Sequence, residues 1–399
     1  MARILWACCT QPGSLFPAVP IVQELVARGH RVTATAGSAS PADFAPLGCD
    51  FVPVRHIDAL LAEPAPPAAD RGLRRERHRR YAQAMFADVC DALRAQPYDV
   101  MLADALETGT AFAAEAMGVP CVSYVHHGMD EVGPDVPFCF HFWDRTEPAE
   151  VAFPAFWNDV RDAVGLGPDP RPQELQRWYR TSPLLALVLG LPDLVHPRGE
   201  LPAFARRVGP LVWDPPQAEP LPDWVGAVGR ERPAILASVS TVRQADADPV
   251  VTVAQAAADL GVEVVATVAR EHDLPPLPGH AVVAPFVPHS ALMHRVSAVA
   301  CHAGYGTVTR AACAGVPLLL YPAGRDQFQV ARGAEHAGIA VVLGVEDRGI
   351  EATRAALQAL LYDGGYTERA RELARVAAGY DAARTAADLV ESVLAGAAV

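Results

Sequence analysis

Short apolar runs alternate with helical patterns along this chain, in two series separated by one proline-rich stretch, and that alternation restricts its fold more than any other feature. Arg3–Cys9 reads as a strand, Ala18–Arg28 has helical spacing, Gly29 is a helix stop, and Arg31–Thr35 is a second strand. Two strands joined through a helix must lie parallel, because the helix carries the chain back across the sheet. Phe51–Val54, Val100–Ala103 and Cys121–Val125 are further strand candidates, with an alanine-rich helix from about Gly109 to Met117 between the last two. From Val208 to Trp224 the sequence turns to VGPLVWDPPQAEPLPDW, whose prolines exclude a regular helix or a central strand and stiffen the chain. A second series follows: Ala234–Val239, Val262–Val268, Ala281–Val283, Ala298–Cys301, Pro317–Tyr321 and Ala340–Leu343. The expected fold is α/β, two Rossmann-like domains facing one another across a cleft, with ligands at strand carboxyl ends. The boundaries read as residues 1–208, a linker at 209–224, a second domain at 225–365, and helices at 366–399 that pack back toward the first domain, with a possible break at Gly379-Tyr380.

A length of 399 residues suits two cores of roughly 200 residues each. The net charge of -13 repels a phosphate backbone, which argues against nucleic acid as a partner. Lysine is absent, so all 33 basic residues are arginine. The eight cysteines (Cys8, Cys9, Cys49, Cys90, Cys121, Cys139, Cys301, Cys313) form no CxxC pair, and several sit in apolar runs, the pattern of buried, reduced thiols in a cytoplasmic protein. The N-terminus lacks the length and cleavage pattern of a signal peptide, and the longest apolar runs, such as Leu184–Leu191, are far short of a membrane span. The basic run Arg71–Arg80 reads as a solvated helix face meeting nearby carboxylates. Met129–Arg180 carries aromatics and breakers without clean periodicity, which suggests a lid or pocket wall with acceptor contacts.

The chemically informative stretch runs from residue 299 to 343. A strand ends at Cys301, and His302-Ala-Gly-Tyr-Gly-Thr307 opens a helix. Two glycines there let backbone approach a ligand, while free amides and the positive helix end favour an anion such as a diphosphate. About 20 residues on, a strand begun at Gly315-Val-Pro317 ends in a loop carrying Asp326-Gln327, a polar pair able to hydrogen-bond vicinal hydroxyls. A phosphate site with a hydroxyl-binding pair beside it describes a nucleotide-sugar pocket.

With these residues in place, the sequence closely resembles the GT-B glycosyltransferases of family 1, in particular the bacterial natural-product (antibiotic) enzymes that use dTDP- or UDP-sugars. The resemblance covers the whole chain: RGHRV at Arg28–Val32, FVPHSALMHRVSAVACHAGYGT from Phe286, the Asp326-Gln327 pair and the closing helix. It implies that the first domain binds the acceptor and the second the nucleotide-sugar. It implies that His302 contacts the donor diphosphate, that Gly304, Gly306 and Thr307 donate to the same phosphates, and that Ser240 and Thr241 face them. Asp326 and Gln327 would hold the sugar, and Phe286 and Val287 would border the nucleobase. No cofactor and no metal are expected; the nucleotide-sugar is a co-substrate.

Family members that make O-glycosides commonly carry Gly-His after the first strand, the histidine acting as general base, oriented by an aspartate on a later strand. Here Gly13-Ser14 stands at the first place and Asp104 at the second. A serine hydroxyl is too weak a base to replace imidazole, and losing a general base typically costs ~10²–10⁴-fold in rate. Four readings stay open. Asp104 acts directly or through a water held by Ser14, on an acceptor already acidic or nucleophilic. His126 or His127, at the end of CVSYVHHG, is the base. An accessory protein is needed, or the chain is itself a weakly active or silent accessory homologue. The first two are favoured.

The expected reaction is a direct, inverting displacement at the anomeric carbon, the leaving diphosphate stabilised by His302 and the helix end. The expected partners are the nucleotide-sugar and a small-molecule aglycone, with a homodimer or an accessory protein also open. A sugar-nucleotide epimerase fits the Gly-Val-Pro to Asp-Gln segment less well. A NAD-dependent dehydrogenase would need glycines that QPGSLFP lacks.

Overall fold

A computed structural model of the chain describes residues 1–67, 70–126, 149–172, 175, 178, 180–194, 201–216, 220–238, 247–268, 274–284, 287–324 and 326–396. The calls on His127, Ser240, Thr241 and Phe286, and Cys139 with them, lie outside the described residues.

The chain divides into two compact units: Met1–Gly190 with Arg198–Leu211 and Asp381–Val399, and Leu191–Pro197 with Val212–Tyr380. The first is built on a seven-stranded sheet of β1 (Arg3–Ala7), β2 (Arg31–Thr35), β3 (Asp50–Phe51), β4 (Val100–Asp104), β5 (Cys121–Val125), β6 (Leu185–Leu189) and β7 (Ala205–Gly209), in the order β3-β2-β1-β4-β5-β6-β7. Every pair in it is parallel. The second unit holds β8 (Ala234–Ser238), β9 (Glu263–Thr267), β10 (Ala281–Ala284), β11 (Ala298–Cys301), β12 (Leu318–Leu320) and β13 (Ala340–Val342), ordered β10-β9-β8-β11-β12-β13 and again all parallel.

Helices cover both faces of such a sheet, so its central strands are apolar on both sides. β4, β5, β6, β8, β11 and β12 are buried along their whole length. In the second unit one core cluster joins Leu236, Val299, Leu318 and Leu320 to Val308 and Ala334, and another joins Ile235, Ala300 and Leu319 to Val253 and Leu357 on the opposite face.

Each sheet reverses its strand order once, at β1/β4 and at β8/β11. There the connections leave in opposite directions and open a crevice at the carboxyl ends of the strands, where ligands of this architecture bind.

Three features depart from the sequence reading. The closing helices divide: Gly364–Ala377 packs on Tyr305–Ala314 in the second unit, and only Ala382–Leu394 joins the first, against Pro12–Ala27 and β7. The change of unit falls after Tyr380 rather than at residue 365. Two strands, β6 and β7, extend the first sheet beyond β5; Leu184–Leu191 has the right composition, and β7 carries two arginines at the sheet edge. The segment read as irregular contains a helix, Ala149–Ala163, while residues 127–148 are not described.

The basic run lies on the helix Arg71–Ala95, capped by Asp70, with Arg79 on Glu76, Arg80 on Glu63, and Arg77 on the carbonyls of Leu60, Glu63 and Pro64. The seven cysteines described are all free thiols. Among the described residues no helix is long and apolar enough to cross a membrane.

Candidate active site

In the second unit, the switch point is where His302 stands. The registers Ser238↔Cys301 and Cys301↔Leu320 bring the ends of β8, β11 and β12 level, so the segments after them leave from one edge. Ala303 is fully buried at φ 64, a left-handed backbone that costs an alanine on the order of 1 kcal/mol. That turn swings the chain into the helix Tyr305–Ala314, whose N-cap Gly304 has an extended backbone and supplies no side chain to the helix end.

The amides of Thr307 and Val308 return to the Gly304 carbonyl at 3.1 and 3.0 Å, and those of Ala303 and Gly304 are directed at the Cys301 thiol. Tyr305 and Gly306 carry the first-turn amides to which the helix itself offers no acceptor. The imidazole of His302 lies over Gly304: a Cβ there would stand 2.5 Å from its Nε2. A shallow depression opens beside it, lined by Ser238, Val250, Cys301, His302 and Tyr321 among others.

Asp326 is the N-cap of the helix Gln327–His336, on the loop that leaves β12. Gln327 is buried, and its Oε1 accepts from the amides of Ala323 and Gly324 at 2.8 and 3.0 Å. It braces the loop through its carbonyl. Val287 is buried in the core cluster of this unit.

Sequence reasoning passed over His289 and Arg310. His289 meets the Thr267 hydroxyl at 3.0 Å; burial, with Arg310 and His302 nearby, lowers it to about 4, against an opposing pull from Asp214. Arg310 donates to the Trp213 carbonyl and to Asp214, both at 2.7 Å, tying the proline-rich stretch to the His302 helix.

In the first unit Asp104 and His126 stand together at the switch point, and Ser14 lies in the helix that follows β1. The helix Pro12–Ala27 starts with proline at its first position, where a missing amide costs nothing, and Ser14 is buried in its first turn, its amide on the Gln11 carbonyl at 2.9 Å. Asp104 ends β4 and pairs in register with Tyr124 of β5, so His126, two residues on, stands beside it, with Nδ1 3.8 Å from Oδ1. Asp104 is fully buried. Burial pushes its carboxyl well above the usual range and Glu107 adds to the push; the Leu106 amide, at 2.8 Å from Oδ1, with Arg180 and Tyr124, pulls the other way. Burial, with Arg180 nearby, lowers His126 to about 3, so its imidazole is neutral at pH 7.

Glu107, also missed, is buried three residues beyond Asp104 and accepts from the Tyr81 hydroxyl at 2.6 Å. The spacing of two acids in ADALETG after a strand was the one available signal.

Two parallel-sheet α/β units, the second with a glycine-capped helix end at its switch point, define the GT-B class of proteins. Residues 251–392 match the family described as "Erythromycin biosynthesis protein CIII-like, C-terminal domain". Over 98% of this chain and 100% of the relative, the sequence is 30% identical to 4'-demethylrebeccamycin synthase of Lentzea aerocolonigenes. The fold matches that of the glycotransferase of kitacinnamycin (TM-score 0.79, 22% identity, 98% and 99% of the two chains). It also matches the glycosyltransferase VinC in complex with dTDP (TM-score 0.69, 23% identity, 98% of each). The chain belongs to the family 1 GT-B glycosyltransferases of the bacterial natural-product type, and it is a glycosyltransferase.

Proposed function

We propose that this enzyme moves a sugar, a deoxysugar in the first instance, from a dTDP- or UDP-sugar to a small-molecule natural product, with inversion at the anomeric carbon. The observation that carries the donor half is the His302–Gly304 turn at the switch point of the second sheet. A leaving diphosphate would meet the imidazole, the amides of Tyr305 and Gly306, the Thr307 hydroxyl and the positive helix end. Fixed donors of that kind stabilise charge that develops in the transition state, and they do so without a metal ion. Asp326 and Gln327 would hold the sugar. Ser240, Thr241, Phe286 and Val287 complete the donor side as the resemblance assigns them.

The acceptor atom attacks the anomeric carbon from the face opposite the diphosphate, and the bonding pair to that carbon leaves with the nucleotide. The acceptor's proton goes to the Asp104–His126 pair, with Ser14 a hydrogen-bonding neighbour and not the base, and with His127 next in the chain. The neutral state of His126 at pH 7 is consistent with this, an unprotonated imidazole being the form able to accept a proton. VinC, solved with dTDP, supports a dTDP-sugar, and the relative named 4'-demethylrebeccamycin synthase supports a natural-product acceptor. Chemistry of this type belongs in the cytoplasm, where nucleotide-sugars are available.

The test is incubation with dTDP- and UDP-sugars and a panel of phenol and enol aglycones, with NMR of the product. A new glycoside of inverted configuration is expected. A product of retained configuration, or donor turnover that never transfers sugar to any acceptor, contradicts the proposal.

A further inference from the structure

The loop that leaves β12 is held residue by residue before it reaches Asp326. The Tyr321 amide returns to the Cys301 carbonyl at 2.9 Å, which ties the start of the loop to the strand that ends at the His302 turn. The Tyr321 hydroxyl meets the hydroxyl of Thr353, fully buried on the helix Ile350–Tyr362, at 3.0 Å. Ala323 and Gly324 give their amides to the Gln327 carbonyl at 2.8 and 3.0 Å. Pro322, between them, is buried and has no amide, so its carbonyl is the one backbone group through which it can be held. Arg348 holds it: Nη2 donates to the Pro322 oxygen at 2.6 Å.

Arg348 comes from the neighbouring loop, the one that leaves β13. β13 pairs with β12 in the register Leu320↔Val342, and the Leu343 amide reaches the Leu320 carbonyl at 2.9 Å, so the two loops set out side by side. The guanidinium also lies over the Tyr321 ring, its central carbon 5.9 Å from the centroid. A planar guanidinium can cover a ring and donate from its edge together, which the point charge of a lysine does poorly. Glu346 and Asp347 directly precede Arg348 in the chain. Surface arginines such as Arg79 and Arg80 pair with carboxylates of that kind. Among the described residues Arg348 pairs with none, and its charge goes to a carbonyl and a ring at the base of the Asp326 loop.

We propose that Arg348 is a positioning residue of the donor site: clasping Tyr321 and Pro322 from the next loop, it fixes the base from which Asp326 meets the sugar. The clasp stands on its own, while its consequence for the sugar rests on the donor reading above. The His302 turn follows β11, on the other side of β12 from Arg348, so the diphosphate contacts do not run through this residue. Loss of the clasp therefore separates the two halves of donor recognition: placement of the sugar suffers and binding of the nucleotide does not.

The test compares wild type, Arg348→Ala and Arg348→Lys by amide hydrogen exchange, by calorimetry with dTDP, and by transfer kinetics with the dTDP-sugar that wild type turns over best. In Arg348→Ala the Ala323 and Gly324 amides are expected to exchange roughly 10-fold faster, the loss of one charge-assisted hydrogen bond. The strand amides of Val299 and Leu318 keep their protection, which shows the sheet intact. Affinity for dTDP stays within about twofold, and kcat/KM falls by ~10- to 100-fold, since a misplacement of about 1 Å is enough for a loss of that order. Arg348→Lys falls between the two. In an Asp326→Ala background the same substitution costs less than about twofold further, because Arg348 acts through Asp326. Unchanged exchange at Ala323 and Gly324, a loss of dTDP affinity as large as the loss in kcat/KM, or fully additive losses with Asp326→Ala would each overturn the proposal. A wild type that binds no dTDP and turns over no dTDP-sugar counts against the donor reading instead, and the exchange at Ala323 and Gly324 then decides the clasp.

Discussion

The His302 imidazole occupies the space that a side chain on Gly304 would need, its Nε2 2.5 Å from where a Cβ would be placed. Gly304 is therefore glycine for the sake of its neighbour; its own φ of -66 is open to any residue. Gly304→Ala is expected to displace the imidazole and leave the helix Tyr305–Ala314 folded. Loss of a charge-assisted contact worth about 1.5–3 kcal/mol corresponds to a roughly 10- to 100-fold loss of nucleoside diphosphate affinity. Calorimetry with dTDP, beside an unchanged thermal midpoint, checks it.

Gly109 is constrained differently. Its φ is 101, and a Cβ would run into the Ala82 carbonyl of the helix Arg71–Ala95. Gly109→Ala is expected to cost about 2–4 kcal/mol, combining left-handed strain with a forced shift between packed helices. Urea unfolding measures it; a loss below about 1 kcal/mol would show that the loop after Asp104 yields easily.

Arg28 joins three carboxylates: Glu24 at 2.9 Å, Asp388 at 2.6 Å and Glu391 at 2.7 Å, and His30 reaches Glu391 at 2.8 Å. The RGHRV motif thereby docks the last helix within the first unit. Exposed pairs are individually weak, so Arg28→Ala is expected to cost only about 1–2 kcal/mol for the network, lessened at high salt. Faster proteolytic removal of residues after Tyr380 is the second expected sign.

Stability should fall in acid, and the sign follows from the histidines. His126 and His289 titrate at about 3 and about 4 in the folded chain, below the ordinary 6.5. Between pH 6.5 and 4 the unfolded chain therefore binds protons that the folded chain refuses, which removes up to about 1.4 kcal/mol per pH unit for each group. Asp104 and Glu107 are raised, so the folded chain binds the extra proton there and they oppose the trend. His289→Gln should flatten the acid limb of thermal midpoint against pH, and Asp104→Asn should steepen it. A limb unchanged in His289→Gln would contradict the assignment.

How much of this could be read from the sequence depended on the range of the interaction. β2, β5 and β11 fall where the apolar runs put them, because a strand buried on both faces writes its burial into consecutive residues. The His302 turn was visible for the same local reason. β7 was not, since Ala-Arg-Arg-Val-Gly is an edge strand whose two half-buried arginines interrupt the apolar run. Nor was the partnership of Tyr81 with Glu107, 26 residues apart, or of Arg310 with Asp214, 96 apart, which only the folded chain creates. The Gln327 carbonyl, spent on its own loop, shows that a residue at a motif position can serve the backbone first.

The central claim is that the His302 turn binds the diphosphate of a nucleotide-sugar. Titrating dTDP and UDP into wild-type protein and into His302→Ala tests it most directly. The account predicts one nucleotide bound per chain and a roughly 10- to 100-fold weaker binding in the variant. No binding of either nucleotide to the wild type, or equal affinity in the two proteins, would contradict it.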